Sequence, residues 1–231
     1  MNARARLFYL EMGMEVWKEK GNPLILQPKS IRMHLMGDKQ AHTTEQFRQA
    51  MQACRELFGK KLQDYGAAWR ILRPTSVTDQ IYIKANRIRS IEQKGVALVD
   101  EGIFPEFQGI VNYGIVALIQ LELGFAESED LSPQQAIAHY DKHAGEALQL
   151  MLRKNHDYDE AWRSMRVSSY TDLILMKLQR TKQIERNGGQ TQVSEGLAAN
   201  YLDMINYAVF GLIKLTEGNP SPTPAAGEDR S

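Results

Sequence analysis

The chain has 231 residues, 43% of them apolar, with 28 basic residues balanced by 28 acidic ones. That is the composition of a globular protein with no bulk electrostatic drive toward nucleic acid or anionic lipid. The single cysteine, Cys54, excludes an intrachain disulfide and a thiolate metal cluster, which suits a reducing cytoplasm.

In chain order, residues 1–40 read as an N-terminal extension. Arg4 and Arg6 precede an apolar run there, but Glu11 and Glu15 break the pattern of a signal peptide. Residues 3–20 are expected to form one helix. The next 86 residues, 41–126, form a unit that returns as residues 132–218. Laying Lys61–Glu92 over Lys154–Glu185 matches fifteen of thirty-two positions without a gap, far beyond chance. One inserted residue extends the match to Asn112-Tyr113 over Asn206-Tyr207.

Each unit reads as three helices. The first runs over about 44–63, where Phe47, Met51, Cys54, Leu57 and Phe58 keep helical spacing, and its counterpart over about 133–156. The second is expected to open with a capping box, Ser76 to Asp79 or Ser169 to Asp172, and to stop at Gly95 or Gly188. The third covers about 105–123, or about 194–215. These last segments are apolar, yet Gln108, Asn112 and Gln120, or Asp203, Asn206 and Lys214, interrupt them. They are too short and too polar to span ~30 Å of hydrocarbon. Residues 127–132 read as a joint, and residues 219–231 as a disordered tail. The expected fold is all-α: two pseudo-symmetric three-helix repeats packed as one bundle, with an extra N-terminal helix.

Packing accounts for repeated apolar residues but not for repeated ions. Lys61, Asp64, Arg70, Arg73, Asp79, Lys84, Arg87 and Glu92 all recur at the matching positions. Surface charges have little reason to match, because exchanging them usually costs under ~0.5 kcal/mol. Arg70 and Arg73 precede a helix start, where free amides and the helix dipole favour an anion. Lys84 and Arg87 share one helix face. Together with Arg163, Arg166, Lys177 and Arg180 they are expected to grip phosphate, while Tyr65, Trp69, Tyr158 and Trp162 could stack a base. Asp64, Glu92, Asp157 and Glu185 are candidate ligands for Mg2+. Each also has a structural reading: aromatic core, or ion pairs tying the repeats together. His139 and His143 have a zinc-binding spacing, but their counterparts are Gln46 and Ala50, so an exposed helix face is expected.

The pattern K-x-x-D-Y-x-x-A-W-R-x-x-R, then S-x-T-D-x-I-x-x-K-x-x-R-x-x-x-I-E, then N-Y, resembles a bacterial family built from a tandem helical unit. Its single-copy phage relatives are grouped as a nucleotide-modification-associated domain. A more distant resemblance is to the all-α nucleoside triphosphate pyrophosphohydrolases of the MazG and dimeric dUTPase group. Those enzymes hold magnesium with E-x-x-E and E-x-x-D helices. Here unit two has Asn200-x-x-Asp203, unit one has Glu106-x-x-Gly109, and neither second helix carries E-x-x-E. The resemblance implies a small-molecule nucleotide as partner. The sequence assigns no catalytic residue, and it leaves open one shared or two separate sites and homo-oligomerisation. The competing expectation is a non-catalytic helical scaffold whose repeated ion pairs fix the repeat interface.

Overall fold

The computed structural model describes residues 14–17, 25–95, 102–193 and 195–218, and before residue 39 the backbone course alone. The chain divides into two compact units, 1–45 and 46–231, and both repeats fall in the second.

In the first unit, strands β1 (Met14–Trp17) and β2 (Ile25–Pro28) pair antiparallel, with Val16 opposite Leu26. The helix expected over residues 3–20 is therefore corrected at Met14–Trp17; its other residues lie outside the described part. Val16, Trp17 and Ile25 are strand-favouring types, and pairing satisfies backbone groups that a four-residue helical turn would leave open. Helix α1 (Lys29–Tyr65) then runs from the first unit into the second. It starts well before the expected residue 44.

The second unit is helical throughout its described residues: α2 (Pro74–Lys94), α3 (Phe104–Leu123), α4 (Pro133–Tyr158), α5 (Val167–Arg186) and α6 (Leu197–Gly218). A 3-10 turn precedes α2 (Ala68–Ile71) and another precedes α5 (Ala161–Ser164). No described helix is long and apolar enough to cross a membrane. Helix α3 packs on α6 and α2 on α5, while α2 also lies on α3 and α5 on α6. Matching helices of the two repeats thus meet each other, as a pseudo-twofold axis requires. Helices α3 and α6 are apolar almost all round, so they occupy the middle. Their close approach depends on two glycines. A Cβ on Gly114 would lie 2.6 Å from Ile205 Cγ1, and one on Gly211 would lie 2.9 Å from Phe107 Cε1.

The expected capping boxes are absent. Helices α2 and α5 begin at Pro74 and Val167 with Arg73 and Arg166 as N-caps, and neither arginine side chain caps. Proline suits the first helical position and holds the residue before it extended, so Ser76 falls inside the first turn. A capping box does occur at the start of α4, where Ser132 Oγ accepts from Gln135 N and Gln135 Oε1 accepts from Ser132 N. Helix α2 ends as expected, with Gly95 left-handed at φ 67°. Cys54 is fully buried, and burial pushes its thiol up to about 12.

Candidate functional site

The repeated ions separate into three groups by where the helices carry them. The first group lies between α2 and α5. Thr78 Oγ1 donates to Glu185 Oε1 at 2.5 Å, and its counterpart Thr171 Oγ1 donates to Glu92 Oε1 at 3.1 Å. Lys182 pairs with Asp79 at 2.7 Å, and Arg89, at the position matching Lys182, pairs with Asp172 at 2.6 Å. These four contacts form two pairs of images across the pseudo-twofold. Glu92 and Glu185, expected as metal ligands, are interface acceptors instead. Burial first, partly offset by the Thr171 hydroxyl, holds the Glu92 carboxyl above its usual range.

The second group is the arginine pair of the motif turn. Arg70 is 2% exposed. Its Nε and Nη2 donate to Asp130 at 2.7 and 3.0 Å, and its Nη1 donates to Gln120 Oε1 and to Gly124 O. The expected phosphate grip is corrected here: these donors are spent fastening the joint at 127–132 to the first repeat. Arg163 does different work. It donates to Glu160, Gln46 and Glu217, and its guanidinium lies 4.4 Å from the Trp162 ring centroid. Arg73 and Arg166 are exposed at the helix starts. The arginines do not converge with Lys84 and Arg87, which lie farther along α2 and pair with the buried Glu106 on α3.

The third group lines a cleft of about 450 Å³ in the first repeat, between the end of α1, the 3-10 turn, α2 and α3. Tyr65, Trp69 and Tyr113 supply aromatic surface, Lys61 and Lys84 positive charge, and Gly109 and Val116 the space. Tyr65 is 52% exposed; burial first, then Tyr113 and Asp64, raise its phenol, which stays neutral near pH 7. Asn112 also borders the cleft but is committed to structure, donating to Cys54 O at 3.1 Å and accepting from Tyr140 OH at 2.9 Å.

The same place in the second repeat is filled. Phe210, matching Val116, stacks on Trp162 with centroids 4.3 Å apart and planes 6° from parallel. Trp162 is thereby a core residue, not a base platform. Asp203, matching Gly109, accepts from Lys177 at 2.5 Å and from Lys154. Burial is the largest single influence and works against the charge on Lys154, but the hydrogen bond to Asp203 and the charge of that carboxylate together outweigh it and hold the amine above its usual range. Tyr158 and Arg180 are exposed. The turn itself differs: Gly66 alone takes positive φ in the first repeat, whereas Asp159 and Glu160 both do in the second.

Neither set of expected metal carboxylates is assembled. Asp64 is exposed at the end of α1, and Asp157 meets His156 Nδ1 at 3.1 Å. Among the described residues no three His, Cys, Asp or Glu side chains are grouped to hold a metal ion. Glu106 and Asp203, the surviving carboxylates of the E-x-x-D likeness, face lysines and an arginine. His143 departs from the expected exposed face: it is buried between Glu122 and Glu146, at 3.0 and 2.9 Å.

Sequence reasoning named Glu106, Asp203 and Gln120 but missed that they, with Asp130, are the partners of the repeated cations. All four differ between copies or lie outside the repeat, so a search for matched positions passes over them. The available signal was the exchange of Glu106-x-x-Gly109 for Asn200-x-x-Asp203, which moves one carboxylate by a helical turn.

The family model for Nucleotide modification associated domain 1 matches residues 61–121 and again residues 154–215, more than half of the chain. The chain belongs to this family. Neither a curated protein nor a solved structure matches it. The two matches coincide with the duplicated motif, so the chain carries the Nucleotide modification associated domain twice. The likeness to MazG-type pyrophosphohydrolases finds no support in these comparisons.

Proposed function

We propose that this protein binds a nucleotide in the cleft of its first repeat. The observation that carries the reading is the coincidence of aromatic walls and lysines in one opening of about 450 Å³. That lies within the ~300–1,000 Å³ usual for small-molecule sites. Tyr65, Trp69 and Tyr113 offer apolar surface to a base, and Lys61 and Lys84 offer charge to a phosphate. The family's description supports the nucleotide class. Processing of the nucleotide would need a group able to take or give a proton at the bound ligand, and the lining supplies Glu106 only as the partner of Lys84 and Arg87.

The test is a thermal-shift and calorimetric screen of the full chain with nucleosides and nucleoside mono-, di- and triphosphates, each with and without magnesium. At least one nucleotide should raise Tm by several degrees at saturation, and Tyr65→Ala should abolish that rise without lowering the Tm of the free protein. A flat screen would end the proposal. The scaffold reading has its own support in the reciprocal bonds between α2 and α5, and it is the one left standing in that event.

A further inference from the structure

The second repeat contains, as part of its own chain, an anion between the two motif lysines. Asp203 is 3% exposed and its carboxylate takes both Lys154 and Lys177. In the first repeat the matching position is Gly109, and the available carboxylate has moved one turn along the helix to Glu106. Glu106 reaches Lys84, at 3.4 Å, and Arg87. It does not reach Lys61, which is exposed and makes no ion pair among the described residues. The point over Gly109 is taken by the Lys84 side chain itself: a Cβ on Gly109 would come within 2.4 Å of Lys84 Cδ, so the position that Asp203 fills in the other copy opens to a ligand when this flexible chain swings aside. The lysines are thus kept in both repeats, while the internal carboxylate takes both of them in the second and only Lys84 in the first.

We infer that the first repeat has an anion subsite over Gly109, where Lys61 and Lys84 hold a phosphoryl group in the place that the Asp203 carboxylate occupies in the second repeat. The second repeat is, on this view, a self-occupied copy of the same site. The inference rests on the cleft proposed above as the ligand site and adds which part of the ligand goes where. A phosphoryl oxygen and a carboxylate oxygen are alike as acceptors for ammonium groups, so one pair of lysines can serve both.

Calorimetry at low ionic strength tests it, with three probes on the full chain: inorganic phosphate, a nucleoside 5′-monophosphate and the same nucleoside without phosphate. Wild type should bind the monophosphate at least ten-fold more tightly than the nucleoside. Gly109→Asp installs the second repeat's carboxylate, and that advantage should disappear. Lys61→Met, an exposed change outside every ion pair described here, should remove most of it without lowering Tm; it decides the matter if Gly109→Asp blocks all binding or does not fold. A monophosphate advantage that survives Lys61→Met overturns the subsite while leaving nucleotide binding intact. Inorganic phosphate that binds wild type and is lost in both variants, with no nucleotide preferred over phosphate, supports the subsite and sinks the nucleotide reading instead.

Discussion

The α2–α5 interface and the motif ends of the two repeats were copied from the same ancestral segment, yet they have met opposite fates. At the interface, Thr78–Glu185 and Thr171–Glu92, like Asp79–Lys182 and Asp172–Arg89, repeat each other bond for bond. At the motif ends the same residue types face different surroundings: a cleft beside Trp69, and a stacked Phe210 with an internal carboxylate beside Trp162. Identity between copies therefore marks two different things here. Where both partners of a contact are duplicated, the ions hold the halves together. Where the cation is duplicated and its partner is not, the copies have been free to diverge.

The sharpest way to break that comparison is at the arginines. Arg70→Met removes a guanidinium that is almost wholly buried and leaves Gln120 and the Gly124 carbonyl without their donor. Urea unfolding should show a loss of about 3 kcal/mol. The same change at Arg163, which is partly exposed, should cost under ~1 kcal/mol. Equal losses would mean that the two turns do equivalent work. Next in size is the interface: Thr78→Val removes a buried hydroxyl that meets both Glu185 and Tyr201, and should cost about 1–2 kcal/mol.

A smaller effect on stability, with a larger one on binding, is expected of Val116→Phe. It gives the first repeat the ring that Phe210 places against Trp162. Stability should change by no more than about 1 kcal/mol, while any nucleotide-induced rise in Tm should vanish. The smallest effect concerns pH. The Glu92 carboxyl is raised in the folded protein, so its contribution to stability is full below the unfolded-state value and is lost as pH rises through the folded value. Glu92→Gln should flatten that decline, so that the variant gains on wild type from mildly acidic to neutral pH in a Tm series. Asp130 has the opposite sign. The Arg70 hydrogen bond holds it low, and its contribution is lost only as pH falls through that depressed value.

Duplication, helix number and the motif turn were legible because each rests on local regularities: repeated residue identities, 3.6-residue spacing and helix-ending glycine. The helix starts were misread because Ser76 and Asp79 fit a capping box as well as they fit an interface. Only the position of Pro74 and the facing Lys182 separates the two readings. The candidate site was half legible. Lys61, Tyr65, Trp69 and Lys84 stood out as repeated and do line the cleft, whereas Arg70 stood out equally and does not.

By itself the sequence determined that the protein is two copies of one helical unit, since periodicity and internal identity are properties of the chain alone. Which of the repeated charges remain open to a ligand was decided by the tertiary structure. An ion's availability depends on what lies within a few ångströms of it, and Asp130, Glu106 and Asp203 reach their partners only once distant helices have packed.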